Sequence, residues 1–325
     1  MRATLPCPKS IEFRRSTFVR RIVTTIVALL ALTPCAFSET ARNTASPSSG
    51  ARWNVADAPA RRIMPGAGGT ALADFDRAIK LAPRKPDNFV GRGLVYLAQH
   101  DFNRAIGDFD QAIKLSPRNT AAILGRAEVR RASGDLKGAM SDYGLLIRIN
   151  PKDAQAYYQR GLAHRELQDF DRALEDFNQM IQIDGDSVQG CYSRGLIFYE
   201  RRHYERAIRE FDRAINVKPD YAPAFDLRGM AYAAIGETRR SLQDLDQAVQ
   251  LDPRFAKALL NRGNMHQSAR RYDRALADYS AAVKVDPQNA YLLYSRGLTL
   301  RALGQEAEAK LDIAKAKDIE PGIGP

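Results

Sequence analysis

The sequence predicts an all-α repeat protein, because three kinds of residue recur at steps of 34 residues or multiples of 34. An Arg-Gly pair marks six repeats, and Arg126-Ala127 marks a seventh. A proline, which can end a helix, and a small residue follow the same period. The Arg-Gly pairs begin at Arg92, Arg160, Arg194, Arg228, Arg262 and Arg296. The prolines are Pro83, Pro117, Pro151, Pro219, Pro253, Pro287 and Pro321, interrupted by Gly185, and the small residues are Ala71, Ala105, Ala139, Ala173, Ala207, Ser241, Ala275 and Ala309.

Each repeat also has a large apolar residue followed, three positions later, by a small one in all but two repeats, which have Leu146 and Met180. The large residues are Phe75, Phe109, Tyr143, Phe177, Phe211, Leu245, Tyr279 and Ile313, and the small ones are Ala78, Ala112, Ala214, Ala248, Ala282 and Ala316. Together with the glycine and alanine columns, this pattern resembles the tetratricopeptide repeat (TPR) family. The resemblance implies helix-turn-helix units that stack into a right-handed α-α superhelix, or solenoid. It also implies that the glycines and alanines let paired helices approach closely.

The repeat covers most of the chain. If Pro86 is the first residue of a unit, seven units follow one another, and residues 70–85 form a preceding half unit. The units are 86–119, 120–153, 154–187, 188–221, 222–255, 256–289 and 290–323. Residues 39–69 are rich in Ala, Ser, Pro, Gly and Arg without a period, which indicates a flexible linker or a degenerate first helix. We therefore expect one TPR array from residue 70 to residue 323.

Residues 1–38 have the order of a secretory signal peptide. Basic residues precede the apolar run Ile22–Leu32, and small residues follow up to Ser38, after which we expect cleavage. Two alternatives stay open: an uncleaved inner-membrane anchor formed by residues 22–38, and lipid attachment at Cys35. The segment predicts an exported protein of the periplasm or cell envelope.

Composition narrows the class of function. A net charge of +11 is compatible with an anionic polymer, but six basic residues lie in the leading segment and no nucleic-acid motif is present. The three cysteines and four histidines are scattered, so we expect no metal site and no cofactor. The repeats leave no room for a catalytic domain, which favours a non-enzymatic scaffold that binds a protein or peptide. The alternatives are a module that binds an envelope polymer or another anionic ligand, and an accessory subunit of an enzyme complex.

An acidic column accompanies the arginine column. It consists of Asp74, Asp108, Asp142, Asp176, Glu210, Asp244, Asp278 and Asp312. Because eight acids face seven arginines, we predict that each arginine pairs with the acid of the preceding unit, such as Arg160 with Asp142. This pairing would leave Asp312 unmatched.

The resemblance implies that residues on the first helices line a concave groove. Tyrosine and arginine are enriched among residues that dominate binding energy at interfaces. We therefore predict a partner-binding site that is densest in units 154–187 and 188–221. Its residues are Tyr158, Arg165, Tyr192, Tyr199, Arg131 and Asp226.

The carboxyl-terminal repeat is a second candidate surface. No additional polar helix follows Pro321 in the sequence. We therefore expect an apolar face around residues Leu311 to Ile319, which would allow self-association through this repeat.

Overall fold

The structure, a computed structural model, describes residues 68–185 and 187–324. Within these ranges it contains fifteen α-helices and no strand, so the prediction of an all-α fold is confirmed. The predicted signal peptide, residues 1–38, and the predicted linker up to residue 67 lie outside the described residues. Among the described helices, none is both long enough and apolar enough to cross a membrane.

Helix packing divides the chain into two compact units, with the division between Pro151 and Lys152. The described part of the first unit has five helices: α1 (Gly68–Leu81), α2 (Pro86–Ala98), α3 (Phe102–Leu115), α4 (Thr120–Ser133) and α5 (Leu136–Ile149). Helix α2 pairs with α3, and α4 pairs with α5. The core of this unit includes Phe89, Phe109 and Val129, all buried.

The second unit consists of five helical hairpins. Its helices are α6 (Ala154–Glu166), α7 (Phe170–Asp184), α8 (Val188–Glu200), α9 (Tyr204–Val217), α10 (Ala222–Ala234), α11 (Thr238–Leu251), α12 (Ala256–Ser268), α13 (Tyr272–Val285), α14 (Ala290–Ala302) and α15 (Glu306–Ile319). Each even-numbered helix pairs with the next helix, and first helices also touch one another, α8 with α10 and α10 with α12. The first helices therefore form a continuous face from α8 to α12.

The turn inside each hairpin has the same backbone geometry. The second residue before the second helix has a positive φ, between 56° and 88°. These residues are His100, Gly134, Gln168, Arg202, Gly236, Arg270 and Gly304. In three hairpins an aspartate directly before the second helix accepts a hydrogen bond from a backbone N–H of the first turn, as Asp135 does from Gly138. Glycine adopts a positive φ without strain, so the turn keeps its shape although only some repeats have the residue best suited to it.

The glycine column allows the large side chain of the second helix to lie against the first helix. A Cβ atom at Gly195 would lie 2.6 Å from a ring carbon of Phe211, and one at Gly263 would lie 2.6 Å from Tyr279. Both rings are fully buried. At Gly229 the opposing residue is Leu245, and the nearest side-chain atom is farther away, at 3.1 Å. A larger residue at Gly195 or Gly263 would therefore displace a buried ring, whereas the contact at Gly229 is less tight.

The arginine column closes each hairpin from within, so the predicted pairing of Arg160 with Asp142 is wrong. Arg160 donates from Nε to Asp176 Oδ2 at 2.9 Å and from Nη2 to Asp176 Oδ1 at 2.6 Å, within its own hairpin. The equivalent pairs, also sixteen residues apart, are Arg92–Asp108, Arg126–Asp142, Arg194–Glu210, Arg228–Asp244, Arg262–Asp278 and Arg296–Asp312. Asp312 therefore has a partner. The acid without an arginine at this spacing is Asp74, because residue 58 is alanine. The count of eight to seven was compatible with either arrangement.

Neighbouring hairpins are joined by a second set of acceptors. Arg228, for example, uses its remaining Nη1 to donate to Asp212 Oδ1 of the preceding hairpin, at 2.7 Å. The other such pairs are Arg92–Asp76, Arg126–Asp110, Arg194–Asn178 and Arg262–Asp246. One guanidinium thus closes its own hairpin and holds the previous one, which its planar fork of donors permits.

Helix α15 differs from the other second helices of its unit on the face that packs against a following hairpin. Ile215, Val249 and Val283 occupy one position of the repeat and pack into cores shared with the next first helix. The equivalent residue in α15 is Lys317, which is exposed, as is Lys315 beside it. The expected apolar face of this helix therefore carries exposed lysines beside the exposed Leu311, and self-association through it stays a prediction.

Candidate functional site

Five of the six predicted site residues lie in the second unit, on consecutive first helices. Tyr158, Tyr192 and Asp226 occupy the same repeat position in α6, α8 and α10. Arg165 and Tyr199 share a position two turns farther along α6 and α8. Repetition of the hairpin thus places all five residues on the first-helix side of the second unit.

Tyr158 and Tyr192 lie over the buried rings of their own hairpins. The ring centroid of Tyr158 is 6.0 Å from that of Phe177, and Tyr192 is equally far from Phe211. Both tyrosines are half-buried. Each ring is therefore supported on one side by a buried phenylalanine and keeps part of its surface accessible to a partner.

Tyr221 joins this group although it was not predicted. It meets Tyr192 edge-on, with ring centroids 5.4 Å apart. Tyr221 is the N-cap residue of α10 and its side chain makes no capping bond, whereas Ser187 caps α8 at the equivalent position. An aromatic residue in place of a capping residue was the sequence signal that could have identified it.

Tyr199 pairs with a second unpredicted residue, Tyr204 of α9, at a centroid distance of 5.5 Å. Burial raises the pKa of the Tyr199 phenol, and nearby Tyr204 and Asp226 raise it further. Burial likewise raises the pKa of Tyr192, to which Tyr221 and Asp226 contribute. These phenols stay neutral donors at physiological pH. We call Tyr158, Tyr192, Tyr199, Tyr204 and Tyr221 the tyrosine cluster.

Arg165 forms an ion pair with Glu200, the last residue of α8. Its Nε donates to Glu200 Oε2 at 3.2 Å, and its Nη2 donates to Glu200 Oε1. The two side chains are 30% and 31% exposed, so the pair borders the tyrosine cluster as a partly accessible ion pair. Glu200 was not predicted. A partner would meet this pair rather than a single positive charge.

Asp226 is almost fully buried, at 1% exposure. Its Oδ1 accepts a hydrogen bond from Asn261 Nδ2 of α12 at 2.7 Å, and its Oδ2 has no hydrogen-bond partner among the described residues. Burial raises the pKa of Asp226, while the bond from Asn261 and the charge of Lys257 oppose this rise. The site thus contains a carboxyl group that is only half satisfied.

Arg131, the sixth predicted residue, belongs to the first unit. Its Nη2 donates to Glu128 Oε2 at 3.2 Å, and Tyr143 donates its phenol to the other oxygen of Glu128 at 3.0 Å. Burial, followed by the charge of Glu128, raises the pKa of Tyr143. Arg131 is therefore part of a local polar network built on its own hairpin.

The corresponding face of α12 is polar. Tyr279 replaces the phenylalanine of the aromatic repeats, and its hydroxyl lies 2.7 Å from Asn264 Oδ1 and 2.8 Å from Gln267 Oε1. A phenol has one hydrogen, so one of the two amides presents its NH2 group to the hydroxyl instead. The polar atoms here bind one another.

The site has the character of a recognition surface. Its tyrosines offer apolar faces with phenolic donors, and the partly exposed Arg165–Glu200 pair offers charge. Within 68–185 and 187–324, no three His, Cys, Asp or Glu side chains converge as they would around a metal ion. Cys191 is buried in the core of its hairpin.

Comparisons with known proteins give the same repeat. Two family models, both described as tetratricopeptide repeat, match residues 154–187 and 256–289, and residues 90–154. A tetratricopeptide repeat protein from Parabacteroides merdae is 22% identical, with 72% of this chain and 93% of that chain covered and a TM-score of 0.58. The APC/C hetero-tetramer Cut9–Hcn1 gives 17% identity and a TM-score of 0.56, over 72% of this chain and 46% of that chain. At these identities the likeness shows the fold alone. No curated protein matches the chain.

Proposed function

Because the chain belongs to the tetratricopeptide repeat family, we propose that it is a scaffold that binds a segment of a partner protein across the first helices α6, α8 and α10. TPR repeats generally serve as non-enzymatic protein-interaction modules, and their partners are peptides or other proteins. The finer assignment to these helices is supported by one observation, the tyrosine cluster. Five tyrosines within two successive hairpins and the start of the next offer a large, rigid contact area with phenolic donors.

The partner segment is proposed to be extended or helical and to contact Tyr158, Arg165, Tyr192 and Tyr199. Tyr158 and Tyr192 supply apolar area, because their rings are supported by Phe177 and Phe211 and lose little freedom on binding. The Arg165–Glu200 pair at the edge supplies both a donor and an acceptor for a peptide backbone or polar side chain.

The proposal is tested with peptides selected from a random library on the whole protein. The double variant Tyr158→Ala with Tyr192→Ala is expected to weaken the selected peptides by about thirtyfold, which corresponds to about 2 kcal/mol. Circular dichroism should show unchanged helical content. Tyr294→Ala is the matched control, because Tyr294 has the same repeat position in α14, away from the cluster. Equal affinity of the double variant and the wild type would contradict the proposal.

Export to the periplasm or cell envelope is proposed from the leading segment alone. Mass spectrometry of the amino terminus in each cell fraction tests it. A mature chain that starts after Ser38 supports a cleaved signal peptide, and Met1 retained in a membrane fraction supports the anchor formed by residues 22–38. A full-length protein in the cytosol would refute export.

An anionic ligand is the second candidate function, and one observation favours it. The exposed arginines Arg206 and Arg240 share a repeat position and lie over the rings of Phe198 and Tyr232, at 5.8 Å and 5.5 Å from the ring centroids. Arg172 and Arg274 continue this exposed column in the second unit. Binding of polyphosphate that weakens with salt, and weakens further in Arg206→Gln with Arg240→Gln, would support this function. Binding unaffected by the double substitution would count against it.

A further inference from the structure

Asp226 is exceptional in its repeat column. At this position the other first helices have an apolar or aromatic residue: Val90, Leu124, Tyr158, Tyr192, Leu260 and Tyr294. Asn261, its hydrogen-bond partner, occupies the next position of the repeat, where other helices have Gly, Ser, Gln or Leu. Both side chains are buried, Asp226 to 1% and Asn261 to 8% exposure. The pair therefore places a carboxyl group where every other described first helix has an apolar or aromatic residue.

Asp244, a buried acid of the arginine–acid pairs, shows how a structural carboxylate is satisfied on both oxygens. Asp244 uses both oxygens, accepting from Nε and Nη2 of Arg228, each at 2.7 Å. Asp226 uses only Oδ1, and among the described residues nothing bonds Oδ2. A buried oxygen without a partner is unfavourable, and it becomes more so when the group is ionised. A purely structural link between α10 and α12 would not require the charge, since asparagine could make the same bond.

The surroundings of Asp226 suit a cation. Asp226 has the repeat position of Tyr192 on the neighbouring first helix, and α8 contacts α10. The charge of Asp226 also contributes to the raised pKa of Tyr192 and of Tyr199. The ring faces of tyrosines attract ammonium and guanidinium groups, and a carboxylate beside them adds a direct ionic partner, a combination that suits an organic cation.

We propose that Asp226, with Tyr192 and Tyr199, forms a subsite for the basic side chain of a lysine or arginine in the bound peptide. The inference rests on the proposed function, peptide binding along α6, α8 and α10. The alkyl chain of the basic residue passes between the half-buried tyrosine rings, which rotate to admit it. Its charged end donates a hydrogen bond to Asp226 Oδ2. The charge that is unfavourable in the free protein becomes the means of selecting the ligand.

The small probes N-acetyl-lysine methylamide and N-acetyl-arginine methylamide test the subsite directly on the whole protein. Nuclear magnetic resonance follows the Asn261 side-chain amide and the Asp226 carboxyl carbon. Either basic probe is expected to give a saturable shift of both signals and to lower the pKa of Asp226, and the uncharged N-acetyl-norleucine methylamide is expected to give none. The lysine and arginine arms separate an ammonium from a guanidinium preference.

Two variants control for charge and folding. Asp226→Asn keeps the shape and the contact with Asn261 but is expected to abolish the response to both basic probes. Asp171→Asn removes the same charge from a side chain that is 80% exposed, on α7, and should respond as the wild type does. An equal response to norleucine, a response retained in Asp226→Asn, or no response to either basic probe would overturn the proposal.

Stability provides a readout that does not depend on a ligand. Burial raises the pKa of Asp226 in the folded protein, against the bond from Asn261 and the charge of Lys257, so ionisation of Asp226 destabilises the fold progressively as pH rises through that pKa. Asp226→Asn should therefore have a higher melting temperature than the wild type at pH 8, and the difference should disappear near pH 4. If the variant is less stable than the wild type at pH 8, the charge of Asp226 stabilises the protein without a ligand, which would contradict the proposal.

The library-selected peptides separate this inference from the proposed function. Replacing the critical lysine or arginine of a selected peptide by norleucine should lower its affinity about tenfold in the wild type and have no effect in Asp226→Asn. If peptides bind across the cluster without needing a basic residue, the subsite fails and the scaffold function stands. If no peptide binds while the basic probes still shift the Asp226 signal, the scaffold function fails and the cation subsite stands.

Discussion

In repeat 188–221 the buried ring is Phe211, and Tyr192 packs on it from the first helix. In repeat 256–289 the buried ring is Tyr279, and Asn264 and Gln267 of the first helix bind its hydroxyl. The two repeats share the glycine, the turn and the arginine–acid pair within the hairpin, which we call the arginine clamp, and their buried rings differ by one oxygen atom. Where the oxygen is present in repeat 256–289, polar groups of the first helix bind it, and where it is absent in repeats 154–187 and 188–221, a tyrosine of the first helix packs on the ring.

Repeat 120–153 supports the same rule in the first unit. Its ring is Tyr143, and the first-helix residue that receives the phenol is Glu128, which also holds Arg131. The sequence predicted Arg131 and Tyr192 as members of one site. Arg131 belongs to a polar network on a tyrosine ring, whereas Tyr192 packs on a phenylalanine ring, and their shared role in binding stays a prediction.

The largest effect is expected for the clamp, which both kinds of repeat share. Arg160→Ala and Arg262→Ala leave Asp176 and Asp278 buried without their partner, and each should lower the free energy of unfolding by about 3–5 kcal/mol. Denaturant unfolding measures this loss. Arg172→Ala, at a side chain that is 69% exposed, should change it by less than about 0.5 kcal/mol. Arg262→Ala also loses the bond to the exposed Asp246, so its loss should be equal to or slightly larger than that of Arg160→Ala. A clearly larger loss for Arg160→Ala would mean that the aromatic and polar repeats do not share one frame.

The glycines come next. Gly195→Ala puts a methyl group 2.6 Å from the buried Phe211 ring and should destabilise the protein by about 1–3 kcal/mol. Gly229→Ala meets Leu245 at 3.1 Å and should cost clearly less. Gly107→Ala is the control, since nothing lies within 4 Å of an added Cβ and the helix should gain about 0.5–1 kcal/mol. Melting temperatures rank the stabilities of the three variants. The opposite ranking would show that contact with the ring is not the reason for glycine at residue 195.

Tyr279→Phe should release the polar side chains of α12 from the buried ring. It removes the hydroxyl shared by Asn264 and Gln267 and is expected to cost about 1 kcal/mol. Hydrogen exchange of the two side-chain amides, followed by nuclear magnetic resonance, should accelerate. Unchanged exchange would show that the hydroxyl does not hold these residues.

The smallest effect is expected at the edge of the tyrosine cluster. Arg165→Gln and Glu200→Gln break a pair whose side chains are about one-third exposed, at a cost of about 0.2–1 kcal/mol that added salt should erase. A double-mutant cycle isolates the coupling. A coupling that persists in high salt would place this pair among the buried contacts.

The fold was predictable because a 34-residue period repeats the same information many times. The family and the all-α class are confirmed for this reason. The arginine pairing was predicted wrongly because a strict period places every acid at two distances from an arginine, 16 residues after one and 18 before the next. Sequence periodicity alone is indifferent to that choice, and the side-chain geometry of the hairpin decides it.

The site was predictable only in part. The column positions of Tyr158, Tyr192 and Asp226 follow from the period, but Tyr204, Tyr221 and Glu200 approach them from turns and neighbouring helices. The sequence could not predict that Asp226 has only one hydrogen-bonded oxygen, because its partner Asn261 lies 35 residues away on another helix. Such groups depart from the repeat, so the period carries no information about them.

The second set of arginine bonds makes the links of the array unequal. The acceptor is Asp212 for Arg228 and Asp246 for Arg262, neutral Asn178 for Arg194, and Ser280 occupies the corresponding position before Arg296. In a linear array each junction contributes its own term to cohesion, so the weakest junction gives way first. The junction before α14 therefore depends on apolar packing, with Val283 against Leu292 and Leu293, rather than on this arginine bond. The contribution of the arginines to cohesion thus differs from junction to junction through one residue per repeat.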